Sequence, residues 1–228
     1  MKIAEIYKSV QGEGFLSGVD SAFVRASGCN LRCWYCDTPY ASHAPEGEDL
    51  SVEEIVSRVG EIGCGHVVLT GGEPMLFAEL IPLTARLRAQ RRHITIETAG
   101  TLYLPVECDL LSISPKMANS RPDPLQTPRW SERHERTRSA PAVIRRLIDE
   151  YPYQFKFVVD RAADCKEVEQ YLVAFPEIDR SRVMLMPQGT AADALARTAD
   201  WLEPYCQAHD LHFCPRRQIE WFGLVRGT

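Results

Sequence analysis

Seven short β-rich runs recur along the 228-residue chain, and amphipathic stretches fill most of the intervals between them. "SAFVRAS" (21–27), "HVVLT" (66–70), "HITIET" (93–98), "DLLSIS" (109–114), "YQFKFVV" (153–159), "RVMLMP" (182–187) and "LHFCP" (211–215) read as strands. Ser51 and Glu54 have capping-box spacing and open a helical pattern at Ile55, Val56, Val59 and Ile62. Further helices fit 76–90, 140–151, 163–174 and 190–209, with Val143, Ile144, Leu147 and Ile148 at core spacing. Parallel strands need long crossovers, and helices of this length supply them. The pattern therefore predicts an α/β chain with a mainly parallel sheet, open or bent into a partial barrel, and ligands at the C-terminal ends of its strands. No second domain or internal repeat is visible, so 1–228 reads as one domain. Only 117–139, with its prolines and dense charge, breaks the rhythm, and a loop of that length is expected to be functional or mobile.

Charge and compartment narrow the partners. The net charge is −5, with no basic stripe to neutralise a phosphate backbone, so nucleic acid is not expected as a partner. The opening "MKIAEIYKSV" has no apolar core of signal-peptide length, and no run approaches a membrane span. A cytoplasmic protein is expected. In that reducing compartment a tight cysteine cluster points to metal more than to disulfides. Cys64, Cys108, Cys165, Cys206 and Cys214 are scattered and read as small apolar fillers.

The cluster is "CNLRCWYC", with Cys29, Cys33 and Cys36 in a C-x3-C-x2-C spacing. A structural zinc site closes with four protein ligands, and only His43 lies nearby, at a spacing that matches no common zinc pairing. Iron–sulfur clusters are bound by thiolates, usually four. Three cysteines on a cubane leave one iron for a ligand from outside the chain.

Three further motifs lie at element ends. "TGGEP" (70–74) follows the strand "VVL", and its glycines permit close backbone approach. "SPK" (114–116) ends another strand. "SVQGEG" (9–14) precedes the cysteines and on its own reads as a hairpin turn.

Taken together, these motifs resemble the radical S-adenosylmethionine superfamily, with Tyr35 at the aromatic position of C-x3-C-x-aromatic-C. More narrowly, QGEG, Arg25 in "FVRASGCN", the "CDT" of Cys36–Thr38, TGGEP, IET-x-G and SPK, in that order, are similar to the family of 7-carboxy-7-deazaguanine synthases. The likeness runs from Ser9 to the C-terminal "IEWFGLVRGT".

The resemblance implies a partial (β/α) barrel and a [4Fe–4S] cluster on Cys29, Cys33 and Cys36. The open iron would be chelated by S-adenosylmethionine, whose reductive cleavage yields a 5′-deoxyadenosyl radical that takes hydrogen from the substrate. Tyr35, Asp37, Gly72, Glu73, Ser114, Pro115 and Lys116 are the implied cosubstrate contacts, Glu73 holding the amino group. Thr38 is the implied Mg²⁺ ligand, which suits a metal that prefers oxygen and keeps several waters. The implied reaction turns 6-carboxy-5,6,7,8-tetrahydropterin into 7-carboxy-7-deazaguanine with loss of ammonia, a lyase step toward queuosine. Val10, Gln11, Gly12 and Glu13 would pair with the pterin edge, Arg25 would take its carboxylate, and Thr70 would offer a hydroxyl. A homodimer and an electron donor such as flavodoxin or ferredoxin are expected. Ala99 stands where relatives often carry asparagine, and Gln218 where many carry histidine. Two other readings compete: a glycyl-radical activase, and a zinc-binding adaptor.

Overall fold

The computed structural model describes residues 1–228. Its strands are β1 (Lys2–Val10), β2 (Asp20–Ala26), β3 (Glu48–Asp49), β4 (His66–Gly71), β5 (His93–Thr98), β6 (Leu110–Ile113), β7 (Tyr153–Val159), β8 (Val183–Pro187) and β9 (His212–Phe213). They form one sheet in the order β3-β1-β2-β4-β5-β6-β7-β8-β9. Every pairing from β2 to β9 is parallel, while β1 pairs antiparallel with both β2 and β3. The two end strands do not pair, so the barrel stays open.

The helices are α1 (Pro39–Ser42), α2 (Val52–Ile62), α3 (Leu80–Ala89), α4 (Pro128–Thr137), α5 (Pro141–Glu150), α6 (Ala162–Ala174), α7 (Ala192–Ala208) and α8 (Arg217–Phe222). The capping box at α2 forms: Glu54 N–H donates to Ser51 Oγ at 3.2 Å, and Ser51 N–H to Glu54 Oε2 at 2.8 Å. The helix ends at Gly63 in the left-handed conformation, which glycine adopts without Cβ strain.

Period-two alternation explains how one sheet yields both a core and a site. On β7, Tyr153, Phe155, Phe157 and Val159 join the main apolar core, together with Ile55 and Val59 of α2, Leu83 of α3, Leu147 of α5, Val168 of α6 and Leu202 of α7. Their neighbours Lys156 and Val158 face the opposite side, where they line a cavity of about 780 Å³. Arg25 on β2, Thr70 on β4, Glu97 on β5 and Ser112 on β6 line the same cavity. Helices α2, α3, α5, α6 and α7 thus cover one face of the sheet, and the other face is the wall of the site.

Five elements lie outside the expected set: β1, β3, α1, α4 and α8. β1 was not anticipated, because its lysines and glutamate mask the alternation of an edge strand. The 117–139 segment is not an irregular loop, for it contains α4. His134 of α4 is fully buried, accepts from Arg32 N–H through Nδ1 at 3.1 Å and pairs through Nε2 with Ser120 Oγ at 2.8 Å. Arg32 also lies over the Trp130 ring at 3.9 Å. The charged composition hid a helix whose few buried positions brace the cysteine loop.

Candidate active site

The cysteine loop leaves the C-terminal end of β2. Gly28 N–H donates to Ala41 O at 2.7 Å, and Glu73 N–H to Gly28 O at 2.9 Å, which stacks the loop directly on the TGGEP turn. A Cβ on Gly72 would overlap the Gly28 carbonyl, and one on Gly71 would overlap Ala26 O. These glycines are therefore required by chain-on-chain packing, beyond any closeness to a ligand.

Cys29, Cys33 and Cys36 are free, half-buried and all line the cavity. Burial pushes the Cys29 thiol up to about 11 and the Cys33 thiol up to about 12. Such thiols ionise on meeting a metal cation. No three His, Cys, Asp or Glu side chains converge where a single metal ion could sit. Three thiols that share a cavity without meeting at one point suit a multi-iron cluster, in which each thiolate takes a different iron.

Around them, Tyr35 packs on Val158, Met184, Met186 and Cys214 and faces the cavity. Ser114 and Lys116 border the same space, joined by a Lys116 Nζ to Ser114 Oγ hydrogen bond of 2.6 Å. Pro115 between them is buried. Gly72 reaches the cavity, but Glu73 does not. Its side chain is 0 % exposed and accepts from Met75 N–H at 3.1 Å, Thr98 Oγ1 at 2.9 Å and Ala99 N–H at 2.8 Å. Burial raises its pKa despite those donors. The carboxylate expected to hold an amino group thus also joins the β4 and β5 ends, and the motif borders the cavity through Gly72.

Thr38 lines the cavity, 3.8 Å from Cys36 Sγ, and although it precedes α1 its hydroxyl makes no capping bond. An oxygen ligand is therefore not already spent on the helix. Asp37 pairs with Arg216 Nη2.

The far side of the cavity is a network of paired charges. Lys156, 3 % exposed, donates to Glu13 Oε2 at 2.8 Å and Glu97 Oε1 at 2.9 Å. Thr70 Oγ1 donates to Glu97 Oε2 at 2.9 Å. Glu13 Oε1 also accepts from Arg216 Nε at 3.3 Å and Gln218 Nε2 at 2.5 Å. Burial pushes the Glu13 carboxyl up, but the Lys156 and Arg216 charges outweigh it and hold it down at about 2. The same pairing raises Lys156 above its ordinary range against the effect of burial. Arg25 donates through Nε to Glu5 at 2.6 Å and through Nη2 to the Tyr7 hydroxyl at 2.7 Å, leaving Nη1 without a partner in the chain. Gln11 is buried and donates to Ser21 Oγ at 2.9 Å. Val10 and Gly12 complete this edge, Gly12 lying so close to Gln218 that a Cβ would clash with it. The C-terminal residues Gly223–Thr228 also line the cavity, tied down by Arg226 to Glu5 Oε2 at 3.2 Å and Glu46 Oε2 at 3.1 Å.

The structure thus gathers every sequence-identified residue except Glu73 and Pro115 around one cavity. Sequence reasoning missed Lys156, Glu97, Arg216 and the strand-end residues Met186–Gln188. For two of them a signal existed: a charged residue at an alternating position of an otherwise apolar strand, in "YQFKFVV" and "HITIET", marks a buried charge that needs a partner.

Residues 23–168 match the model of the radical SAM superfamily. A 7-carboxy-7-deazaguanine synthase of Rhodopirellula baltica is 45% identical over 227 residues, covering 99% of this chain and 88% of the relative. One from Halobacterium salinarum is 38% identical, covering 96% and 89%. Among solved structures, QueE from Escherichia coli superposes with a TM-score of 0.70 at 24% identity, over 94% of this chain and 92% of that one, a likeness of fold. The chain is a radical SAM enzyme, with the [4Fe–4S] cluster and S-adenosylmethionine that define the class. Within the class it belongs to the family of 7-carboxy-7-deazaguanine synthases.

Proposed function

We propose that the enzyme converts 6-carboxy-5,6,7,8-tetrahydropterin to 7-carboxy-7-deazaguanine with release of ammonia. The observation that carries this reading is the division of one cavity into a thiol lobe and a lobe of paired acids and bases with an open guanidinium edge. When bound, the cluster and S-adenosylmethionine would supply reductive adenosyl cleavage and, through it, hydrogen-atom abstraction from the substrate. The chain's part is to bind, aim and exclude water.

Cys29, Cys33 and Cys36 hold the cluster. Tyr35, Asp37, the Gly72 backbone and the Ser114–Lys116 strand end border the cosubstrate. Arg25, oriented by Glu5 and Tyr7, takes the pterin carboxylate through its free edge. Val10, Gln11, Gly12, Glu13 and Thr70 frame the ring, and Glu97, with about a third of its side chain exposed, accepts ring N–H groups. The Thr38 hydroxyl, free of capping duty, would hold Mg²⁺, a metal that prefers oxygen ligands. The chain works as one domain, in the cytoplasm, as a homodimer reduced by a flavodoxin or ferredoxin. No helix is long and apolar enough to cross a membrane.

The test is anaerobic incubation of reconstituted enzyme with S-adenosylmethionine, reductant, Mg²⁺ and the carboxylated tetrahydropterin. A product with the mass of 7-carboxy-7-deazaguanine, and one ammonia per turnover, is the expected result. Adenosyl cleavage that leaves the pterin intact overturns the substrate assignment.

A further inference from the structure

Lys156 is a charge in the middle of a strand whose every residue is buried, and its place in the cavity wall is built from both sides. Its ammonium lies within 3 Å of one oxygen of Glu13, from the loop after β1, and one of Glu97, from β5. Cys214, just past β9, is the other titratable group beside it, with a thiol pushed up to about 11 by burial. The two carboxylates do not have the same freedom. Glu13 takes three donors, from Lys156, Arg216 and Gln218, and its side chain is 16% exposed. Glu97 is 35% exposed, with Lys156 on Oε1 and Thr70 on Oε2. A carboxylate oxygen has two acceptor positions, so one position on each Glu97 oxygen stays open.

We propose that Lys156 is a positioning residue for substrate recognition: by bridging Glu13 and Glu97 it fixes Glu97 as a two-acceptor fork for the N–H donors of an amino-lactam edge. This rests on the pterin reading above. The chemistry matches, since the 2-amino and ring N3–H groups of a pterin point the same way and pair with both oxygens of one carboxylate. Without the ammonium, two acids brought close together would repel, and Glu97 would keep only Thr70 of the two contacts that set its orientation. An ion triad kept only to hold the fold would be indifferent to what the ligand's edge presents.

The experiment uses the reconstituted holoenzyme with two non-reacting probes, 6-carboxypterin and its 2-desamino analogue, alongside turnover of the tetrahydropterin. Wild type should bind 6-carboxypterin at least tenfold tighter than the desamino analogue. Lys156→Met should lose at least tenfold in 6-carboxypterin affinity and raise KM in parallel, yet bind the analogue within about threefold of wild type, so that the preference collapses. Iron content and adenosyl cleavage without pterin should hold. Lys156→Arg, which keeps the cation, should restore part of the preference. Glu97→Gln, which spares the Lys156–Glu13 pair, should abolish it too. A preference that persists in Glu97→Gln overturns the proposal whatever becomes of Lys156→Met. Equal loss of both probes in Lys156→Met also overturns it, reducing the triad to scaffolding. Failure of the substrate reading looks different: wild type would then release no deazaguanine product at all.

Discussion

The two lobes of the cavity handle polar groups in opposite ways. On the cysteine side, the Cys29 and Cys33 thiols have few partners in the chain, and burial holds them protonated. On the opposite side, Glu13, Glu97, Lys156, Arg216 and Asp37 consume one another's charges. A lobe that houses a resident cluster can leave its ligands waiting, because a protonated thiol is a tolerable buried group and the metal deprotonates it. The paired lobe, which we propose the substrate enters and leaves at every turnover, must stay stable when empty, and unpaired buried charges there would cost several kcal/mol.

The largest effect should come from the lobe with no internal compensation. Cys33→Ala is expected to remove most of the iron and reduce adenosyl cleavage to background, measured by iron assay and 5′-deoxyadenosine release. Cys108→Ser, away from the cavity and also free, should keep full iron and shift stability by less than about 1 kcal/mol. Equal iron loss in both would erase the distinction between the lobes.

Thr38→Ala stands at the boundary. Product formation should fall by around a hundredfold and lose most of its Mg²⁺ stimulation, because small misplacements of a reacting centre are costly. Iron and S-adenosylmethionine binding should stay intact. Since the hydroxyl makes no capping bond, the melting temperature should hardly change, and a variant that melts early but responds fully to Mg²⁺ would return Thr38 to a structural role.

In the paired lobe, removal of one member exposes another. Arg25→Ala should raise the pterin KM by roughly ten- to a hundredfold, the equivalent of about 1.5–3 kcal/mol for a charge-assisted contact. Glu5 retains Tyr40 and Arg226 as partners, so the fold should survive. Weakened S-adenosylmethionine binding with an unchanged pterin KM would move Arg25 to the other lobe.

The last expected effect falls on stability, with activity little changed at neutral pH, and concerns the brace beneath the cysteine loop. Burial depresses the His134 imidazole from 6.5 to about 4. As pH falls, the unfolded chain binds this proton first, so the contribution is intact above about 6.5 and lost progressively down to about 4. Melting temperature scanned across that window should decline, and His134→Gln should flatten the decline. A parallel slope in the variant would shift the titration to other groups.

Much of this was legible in the sequence, for physical reasons. Strand and helix periods are local, so the seven predicted strands and five predicted helices all appear within a few residues of their places. The cysteine spacing is local too, since three thiols within eight residues must share one loop wherever it folds. The tertiary structure decided what depends on pairing across the chain. Glu73 reads as a ligand in TGGEP, and only the fold shows that its carboxylate also accepts from Thr98 and Ala99 at the β5 end and from Met75. Lys156, Glu97 and Glu13 lie far apart in sequence and meet only because β5 and β7 turn alternate residues to the same face and the loop after β1 carries Glu13 over it. The brace of α4 on Arg32 spans about a hundred residues and rests on one buried histidine in a charged helix. Local periodicity records which face a residue is on, and only the folded sheet records which residue it will meet there.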